Sequence, residues 1–478
     1  MGSSKRARPR VGEEYEVTIH GLAYGGRGVG RLTDAEGRGG MAIFVAQTAP
    51  GDRVRARVDA VKRRHAEGSL VSLLEPGDGR VEPSCPHYAE GCGGCSWQHL
   101  NYESQLLAKQ REVGDSLERL GGFSDPPLEP IVAADDPWFY RNKMEFTFNA
   151  GDGLGLHVAG NWRRVIPITD CRLESELAMR IVAFARDFVA EHDIACWSPD
   201  DGEGLLHELV IRHGRGTDET MVGLVTAAGS FPEAEEFARG VAALDSSIVS
   251  VVRGVRGTGA RGSSIERIEA LAGRDHIVEA VGGLRFNLGL QTFFQTNTAQ
   301  AERMLQIVRA RVAESLEAAE SETTTILDVF CGVGFFSVEL ADLADTVVGI
   351  EIVEASIRAA EANAANNDVD NTAFYAGDAR RTLPDIIEAH GAPNLILLDP
   401  PRSGAGGKVM RRIARAAPDR IIYVSCNPTT LARDLAELVR FGYRLTAVQP
   451  IDLFPQTYHV ETIVTVDRDP NAVLSNEA

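Results

Sequence analysis

Lysine is scarce in this chain of 478 residues. Only Lys5, Lys62, Lys109, Lys143 and Lys408 are lysines among 49 basic residues. Aromatic side chains are also thin, at 6%. No apolar run approaches the roughly 20 residues that a membrane-spanning helix needs. The first ten residues are basic and polar and lack the apolar core of a secretory leader. Cysteine is sparse and odd in number: Cys85, Cys92, Cys95, Cys171, Cys196, Cys331 and Cys426. That count, with no leader, excludes a disulfide scaffold. It points to a reducing, cytoplasmic setting and to metal or catalytic uses of the thiols.

Hydrophobic residues make up 44% and charged residues 24%, enough for two or three packed domains. The net charge of −19 argues at first sight against a nucleic-acid partner. Its distribution argues the other way. Residues 1–80 carry net +4 and the remainder −23. An acid-rich, lysine-poor surface suits concentrated salt, where repulsion is screened. An arginine-biased composition with an acidic solvated face reads equally well.

After a basic tail, 1–11, residues 12–75 read as short strands with glycine-rich turns. Tyr15–Ile19, Met41–Val45 and Val54–Val58 have strand character, and Gly25–Gly30 reads as a flexible turn. These fit a small barrel of the OB type. Arg53, Arg55 and Arg57 alternate along one strand face and make a row of phosphate-binding cations.

Cys85, Cys92 and Cys95 then fall within eleven residues, interleaved with glycine. A four-thiolate site needs one more, and Cys171 fits best. Zinc and an iron–sulfur cluster both satisfy this chemistry, and the uneven spacing suits a cubane better. Residues 101–120 read as a helix carrying Leu106, Leu107, Val113, Leu117 and Leu120 near period 3.6, ended by Gly121-Gly122. Residues 125–282 mix strands and helices. Tyr140, Arg141 and Lys143 form a basic cluster able to contact RNA.

From about residue 285 strands alternate with helices, which predicts a parallel, doubly wound α/β sheet. The strand Thr325–Phe330 runs into Cys331-Gly-Val-Gly334, which matches neither the dinucleotide fingerprint nor the phosphate loop. Glu351 ends the next strand, 23 residues past Asp328, where a carboxylate can accept both ribose hydroxyls. Asp378 ends the third and can reach an adenine edge. A glycine loop with two such acids and no phosphate machinery describes S-adenosylmethionine. Asp399-Pro-Pro-Arg402 ends the fourth strand, and Ser425-Cys426-Asn-Pro428 ends the fifth. A thiol there can act as a nucleophile. Added to C6 of a pyrimidine, it puts electron density on C5, which then takes a methyl group. Glu461 can remove the C5 proton so that the thiolate leaves. Cys331 competes as nucleophile but sits inside the cofactor loop.

These motifs, with Phe293-Phe-Gln295-Thr-Asn297 and Phe454–Glu461, resemble the RNA uracil-5 methyltransferase family across nearly the whole chain. The resemblance implies a Rossmann-like methyltransferase sheet with Cys426 as nucleophile and Glu461 as base. It places Gln295, Phe330, Phe335, Glu351, Asp378 and Asp399 around S-adenosylmethionine and the target base. Phe335 departs from the family, where Asn often stands. The resemblance further implies an RNA-binding TRAM barrel over 12–75 and a [4Fe-4S] cluster on Cys85, Cys92, Cys95 and Cys171. Residues 76–95 and 125–282 would form a central α+β iron–sulfur domain, and 96–124 with 283–478 the methyltransferase domain. Barrel and cluster together point to 23S rRNA as substrate, with the T-loop of tRNA as alternative. A monomer is expected. A retired, non-catalytic RNA-binding scaffold is the contrasting reading, against which the intact Cys426, Glu461 and cofactor acids argue.

Overall fold

A computed structural model describes residues 9–32, 40–257, 264–319 and 321–469. Most of the basic tail expected at 1–11 therefore lies outside the described residues. Strands β1 (Glu14–Leu22), β2 (Gly28–Arg31), β3 (Ala42–Val45), β4 (Arg53–Val61) and β5 (His65–Glu75) close into a barrel in the order β1-β2-β3-β5-β4. Alternation builds it: Val54, Ala56 and Val58 enter the core with Val17, Ile19, Ile43 and Val45, while Arg53, Arg55 and Arg57 face out. The run Gly25–Gly30 is only half a turn. Gly28 and Gly30 belong to β2, and a Cβ at Gly30 would fall 2.1 Å from Val17 Cγ1. Glycine there lets β2 close against β1.

A short helix α1 (Pro86–Ala89) precedes α2 (Tyr102–Ser116). Asn101 caps α2 by accepting from the Ser104 amide at 2.8 Å. The helix runs on through one wider turn, Leu117–Gly121, and stops at Gly122 with φ 74°. Its buried stripe is Gln105, Lys109, Val113 and Leu117, whereas Leu107 and Leu120 are exposed. The apolar pattern mispoints the helix because two polar side chains find buried partners. Val113 and Leu117 pack in one core with Leu327 and Val348 of the C-terminal sheet and Leu431 of the helix that follows its strand 420–425. The helix thus packs on the C-terminal sheet and its helices.

The central unit is a seven-stranded sheet with β6 (Lys143–Asn149), β7 (Gly153–Val158), β8 (Asn161–Pro167), β9 (Leu206–Gly214), β10 (Glu219–Thr226), β11 (Ile248–Arg256) and β12 (Ile265–Gly273). Its order is β12-β11-β10-β9-β6-β7-β8. Helices α3 (Glu176–Glu191) and α4 (Ala234–Ala242) share its core through Ile181, Ala185, Phe237 and Val241. The hairpin β13 (His276–Val281) and β14 (Leu284–Gly289) follows, so the boundary expected at 282 falls in its turn. Ile277 and Phe286 of this hairpin sit in one core with Met221 of the central sheet and Ile326 of the next.

After α5 (Thr298–Glu317) comes the C-terminal sheet. It contains β15 (Thr325–Val329), β16 (Thr346–Glu351), β17 (Thr372–Ala376), β18 (Leu395–Leu398), β19 (Arg420–Ser425), β20 (Tyr443–Ile451) and β21 (Glu461–Arg468). Helices α6 (Phe335–Glu339), α7 (Glu354–Asn366), α8 (Ala379–His390), α9 (Gly407–Ala416) and α10 (Pro428–Val439) link the strands. The order is β17-β16-β15-β18-β19-β21-β20, with the first five parallel. β21 is antiparallel to both neighbours. Connections reverse direction between β15 and β18, the switch point where ligands bind beyond the carboxyl ends of such sheets. Among the described residues no helix is long and apolar enough to cross a membrane.

Candidate active site

Chemistry-bearing side chains gather at that edge because each follows a buried apolar strand. β18 reads Leu-Ile-Leu-Leu and delivers Asp399; β19 ends at Ser425 and delivers Cys426. β21 runs the other way, so its first residue, Glu461, lies at the same edge. Ser425 pairs with Thr462, which sets Cys426 beside Glu461. The two turns are stitched together. Asn427 Nδ2 donates to the Arg402 carbonyl at 3.0 Å, and Asn427 Oδ1 accepts from the Thr429 amide at 3.1 Å, capping α10.

Cys426 is half-buried and Glu461 buried, with no partner for Glu461 Oε1 among the described residues. Burial, then Asp399, holds Glu461 well above the usual carboxylate range. Burial and the Asp328 carboxylate push Asp399 up to about 7. Asp328 itself is pushed up to about 7 by burial, although Ser337 Oγ donates to its Oδ2 at 2.6 Å. Its Oδ1 has no partner among the described residues. Burial pushes the Cys426 thiol up to about 12, with Glu461 and Asp399 adding and Arg402 opposing. Several carboxyl groups gathered at one sheet edge favour a cationic ligand. Beside it, burial drives His459 down to about 4, so its imidazole is neutral.

The family described as tRNA (Uracil-5-)-methyltransferase matches residues 282–469, and the TRAM domain matches residues 8–71. An uncharacterized RNA methyltransferase of Gloeobacter violaceus is 37% identical over 96% of this chain and 97% of its own. One from Chlorobaculum tepidum is 34% identical over 96% of this chain and 98% of its own. The chain belongs to the RNA uracil-5 methyltransferase family. It is an RNA methyltransferase. Among solved structures, the Pyrococcus abyssi tRNA (uracil-54, C5)-methyltransferase in complex with S-adenosyl-L-homocysteine is similar, with TM-score 0.73 and 28% identity. The likeness covers 95% of this chain and 100% of that one.

Around the catalytic edge of this methyltransferase, the other anticipated residues divide. Phe330 takes a left-handed backbone, φ 70°, at the end of β15, and its amide and that of Cys331 both donate to the Ile350 carbonyl. Cys331 packs over β16, where a Cβ at Gly349 would lie 2.9 Å from its sulfur. Burial holds its thiol well above the usual range. Glu351 Oε1 accepts from the Val353 amide at 2.8 Å. The neighbouring Ile352 is 66% exposed, an apolar surface beside Glu351 that no sequence pattern announces. Asp378 is engaged with Arg380, whose Nε lies 2.9 Å from Oδ1, and this neighbour holds its carboxyl down at about 2. An adenine edge would have to share it. The Phe335 ring is buried among Phe286, Phe294 and Phe336 and is not an open cofactor-facing group. Gln295 is buried, and its carbonyl accepts from Asn142 Nδ2 at 2.9 Å.

Tyr140 is buried too, its hydroxyl donating to the Pro455 carbonyl at 3.1 Å. It supports the 452–461 segment and is not free for RNA. Arg141 and Lys143 line a cleft with Arg212, Phe293 and His459. Phe293 is 72% exposed there. On the barrel, the arginine row is exposed as expected but paired with acids. Arg53 meets Glu75 and Glu16, Arg55 lies 3.6 Å from Glu16, and Arg57 lies 3.5 Å from Asp59. Arg63 and Arg64, in the β4–β5 turn, have no ion-pair partner among the described residues and line a second depression with His65.

The cysteine cluster needs a correction of degree. Among the described residues no group of three or more His, Cys, Asp or Glu side chains is gathered tightly enough to hold a metal ion. Cys85, Cys92, Cys95 and Cys171 nevertheless line one cavity, and all are free thiols. Burial pushes the Cys95 and Cys171 thiols up to about 12, so bare thiols there stay protonated.

Proposed function

We propose that this enzyme transfers the methyl group of S-adenosylmethionine to C5 of a uridine in RNA. The juxtaposition of Cys426 and Glu461 over Asp399 carries this reading. Asp328, Phe330, Glu351 and Asp399 would hold the cofactor. Its sulfonium charge suits the carboxyl-rich cleft, and the S-adenosyl-L-homocysteine in the Pyrococcus abyssi structure supports the assignment. S-adenosylmethionine, when bound, supplies an electrophilic methyl group at the edge of the sheet. Cys426, as thiolate, adds to C6 of the uracil and raises electron density at C5. Glu461 then takes the C5 proton, and the Cys426 sulfur leaves as C5=C6 re-forms. Arg402 favours the thiolate throughout.

The four cysteine thiols line one cavity and are chemically the donors of a [4Fe-4S] cluster, which would draw them closer together than they stand here. Cys85, Cys92, Cys95 and Cys171 would hold it and tie the 85–95 loop to the central sheet. Anaerobically purified protein should contain about four irons per chain, and stoichiometric zinc without iron would overturn this assignment.

We favour 23S rRNA as substrate. The tRNA T-loop is the second reading, supported by the tRNA enzyme whose likeness covers 95% of this chain. Unmodified 23S rRNA fragments and tRNA transcripts, incubated with methyl-labelled S-adenosylmethionine and digested to nucleosides, test both. Label in 5-methyluridine from one RNA is expected. Label in another nucleoside, or in none, refutes the reading.

A further inference from the structure

The β1–β2 loop, residues 23–27, leaves the barrel and reaches the catalytic edge. Trp97 Nε1 donates to the Gly26 carbonyl at 3.0 Å. A Cβ at Gly26 would sit 3.1 Å from both Trp97 Nε1 and Tyr458 Cδ1, so the loop lies flush against Tyr458. Tyr24 meets Tyr458 edge to face, with ring centroids 5.8 Å apart. Arg402 links the two rings. Its Nη2 donates to the Tyr458 hydroxyl at 3.1 Å and to the Tyr24 hydroxyl at 3.3 Å. The guanidinium carbon is 5.9 Å from the Tyr458 ring centre. The Arg402 main chain is held separately, by Asn427. Two hydroxyls therefore orient the side chain, and one of them comes from the barrel. Arg402 is also the cation that opposes Glu461 and Asp399 at Cys426.

We propose that Tyr24 is a positioning residue of the catalytic cleft: the barrel holds the Arg402 guanidinium beside Cys426 and so acts on the chemistry as well as on RNA affinity. The proposal rests on Cys426 being the nucleophile. A loop that only packed, or only touched RNA, would leave the reactivity of the thiol unchanged.

The test uses the full chain carrying Tyr24→Phe, which keeps the ring and removes the hydroxyl. Iodoacetamide alkylation, followed by mass spectrometry on the Cys426 peptide across about pH 7 to 9.5, reads the thiolate without RNA or cofactor. Slower alkylation is expected, with the profile moved to higher pH. Turnover should show kcat down about tenfold and KM for RNA little changed. Adding Tyr24→Phe to Arg402→Gln should cause no further loss, because both act through one group. Unchanged alkylation in Tyr24→Phe overturns the proposal, as does a raised KM with kcat intact. If alkylation responds to Tyr24 while the wild type methylates no RNA, positioning stands and the functional reading falls.

Discussion

Cys426 and Glu461 are brought together by one backbone register: Ser425 on β19 pairs with Thr462 on β21. The two residues are 35 positions apart in the chain but occupy adjacent strand ends. Parallel order alone would not do this. Only an antiparallel β21 puts its first residue at the carboxyl edge of β19, so the sheet topology itself brings the proposed nucleophile and base together.

That pairing separates the two residues by their place in time. Cys426→Ala should abolish turnover and any covalent protein–RNA species. Glu461→Gln should still add and accept the methyl group but fail to release it. A denaturant-resistant complex carrying methyl label should then accumulate on gels. RNA containing 5-fluorouridine should trap the wild type likewise, since fluorine cannot leave as a cation. Loss of the complex in Cys331→Ala, with Cys426→Ala still forming it, would reassign the nucleophile.

Acidity of the site sets a pH dependence. In the proposed mechanism Cys426 acts deprotonated, and burial with Glu461 and Asp399 raises its thiol above the ordinary range. Glu461 also acts deprotonated and is likewise raised. Protonation therefore disables both, and activity is lost as pH falls. kcat/KM, which reports the free enzyme, should climb by about tenfold per pH unit where one group limits. Arg402→Gln removes the opposing cation and should push this limb to higher pH. A flat profile between about pH 6 and 9 would exclude a raised thiol as the limiting group.

What could be read in the sequence follows from chemistry at strand ends. Asp399, Cys426 and Glu461 each abut a run of apolar residues, so their placement at strand ends was legible. The outward row of β4 was legible from alternation, but its partners Glu16 and Glu75 arrive from β1 and β5 across the closed barrel. Strand β5, with Gly68, Ser69 and Ser72 breaking its pattern, was not foreseen. Helix α2 misled because its inward face carries Gln105 and Lys109, whose partners Gln456 and Asp452 are more than 300 residues away. Tyr24 gave no local signal, since its role depends on how the barrel docks.

The Lys109–Asp452 pair is fully buried, at 2.5 Å, and Lys109 Nζ also donates to the Phe454 carbonyl at 3.0 Å. It latches α2 to the segment leading to Glu461. Lys109→Met should strand a buried carboxylate and cost about 3–5 kcal/mol. The methyltransferase transition in urea should move to lower concentration, and kcat should fall. Pairing it with Asp452→Leu should recover most of the stability. Equal stability of Lys109→Met and wild type would show that water reaches the pair.

The barrel offers two sets of cations with different expected effects. Arg53, Arg55 and Arg57 already face Glu16, Glu75 and Asp59, so phosphates would have to compete for them. Arg63 and Arg64 face solvent in the β4–β5 turn. Each phosphate contact to single-stranded RNA contributes about 0.7 to the slope of log affinity against log salt. Replacing Arg63 and Arg64 by alanine should therefore flatten that slope by about 1.4 and weaken binding across RNA sequences. Arg55→Ala should change it little, because Glu16 already neutralises Arg55 and no phosphate contact is lost. Filter binding over a salt series measures both. A larger loss of slope in Arg55→Ala than in the double variant would return the RNA surface to the arginine row, and would mean that RNA separates Arg55 from Glu16 on binding.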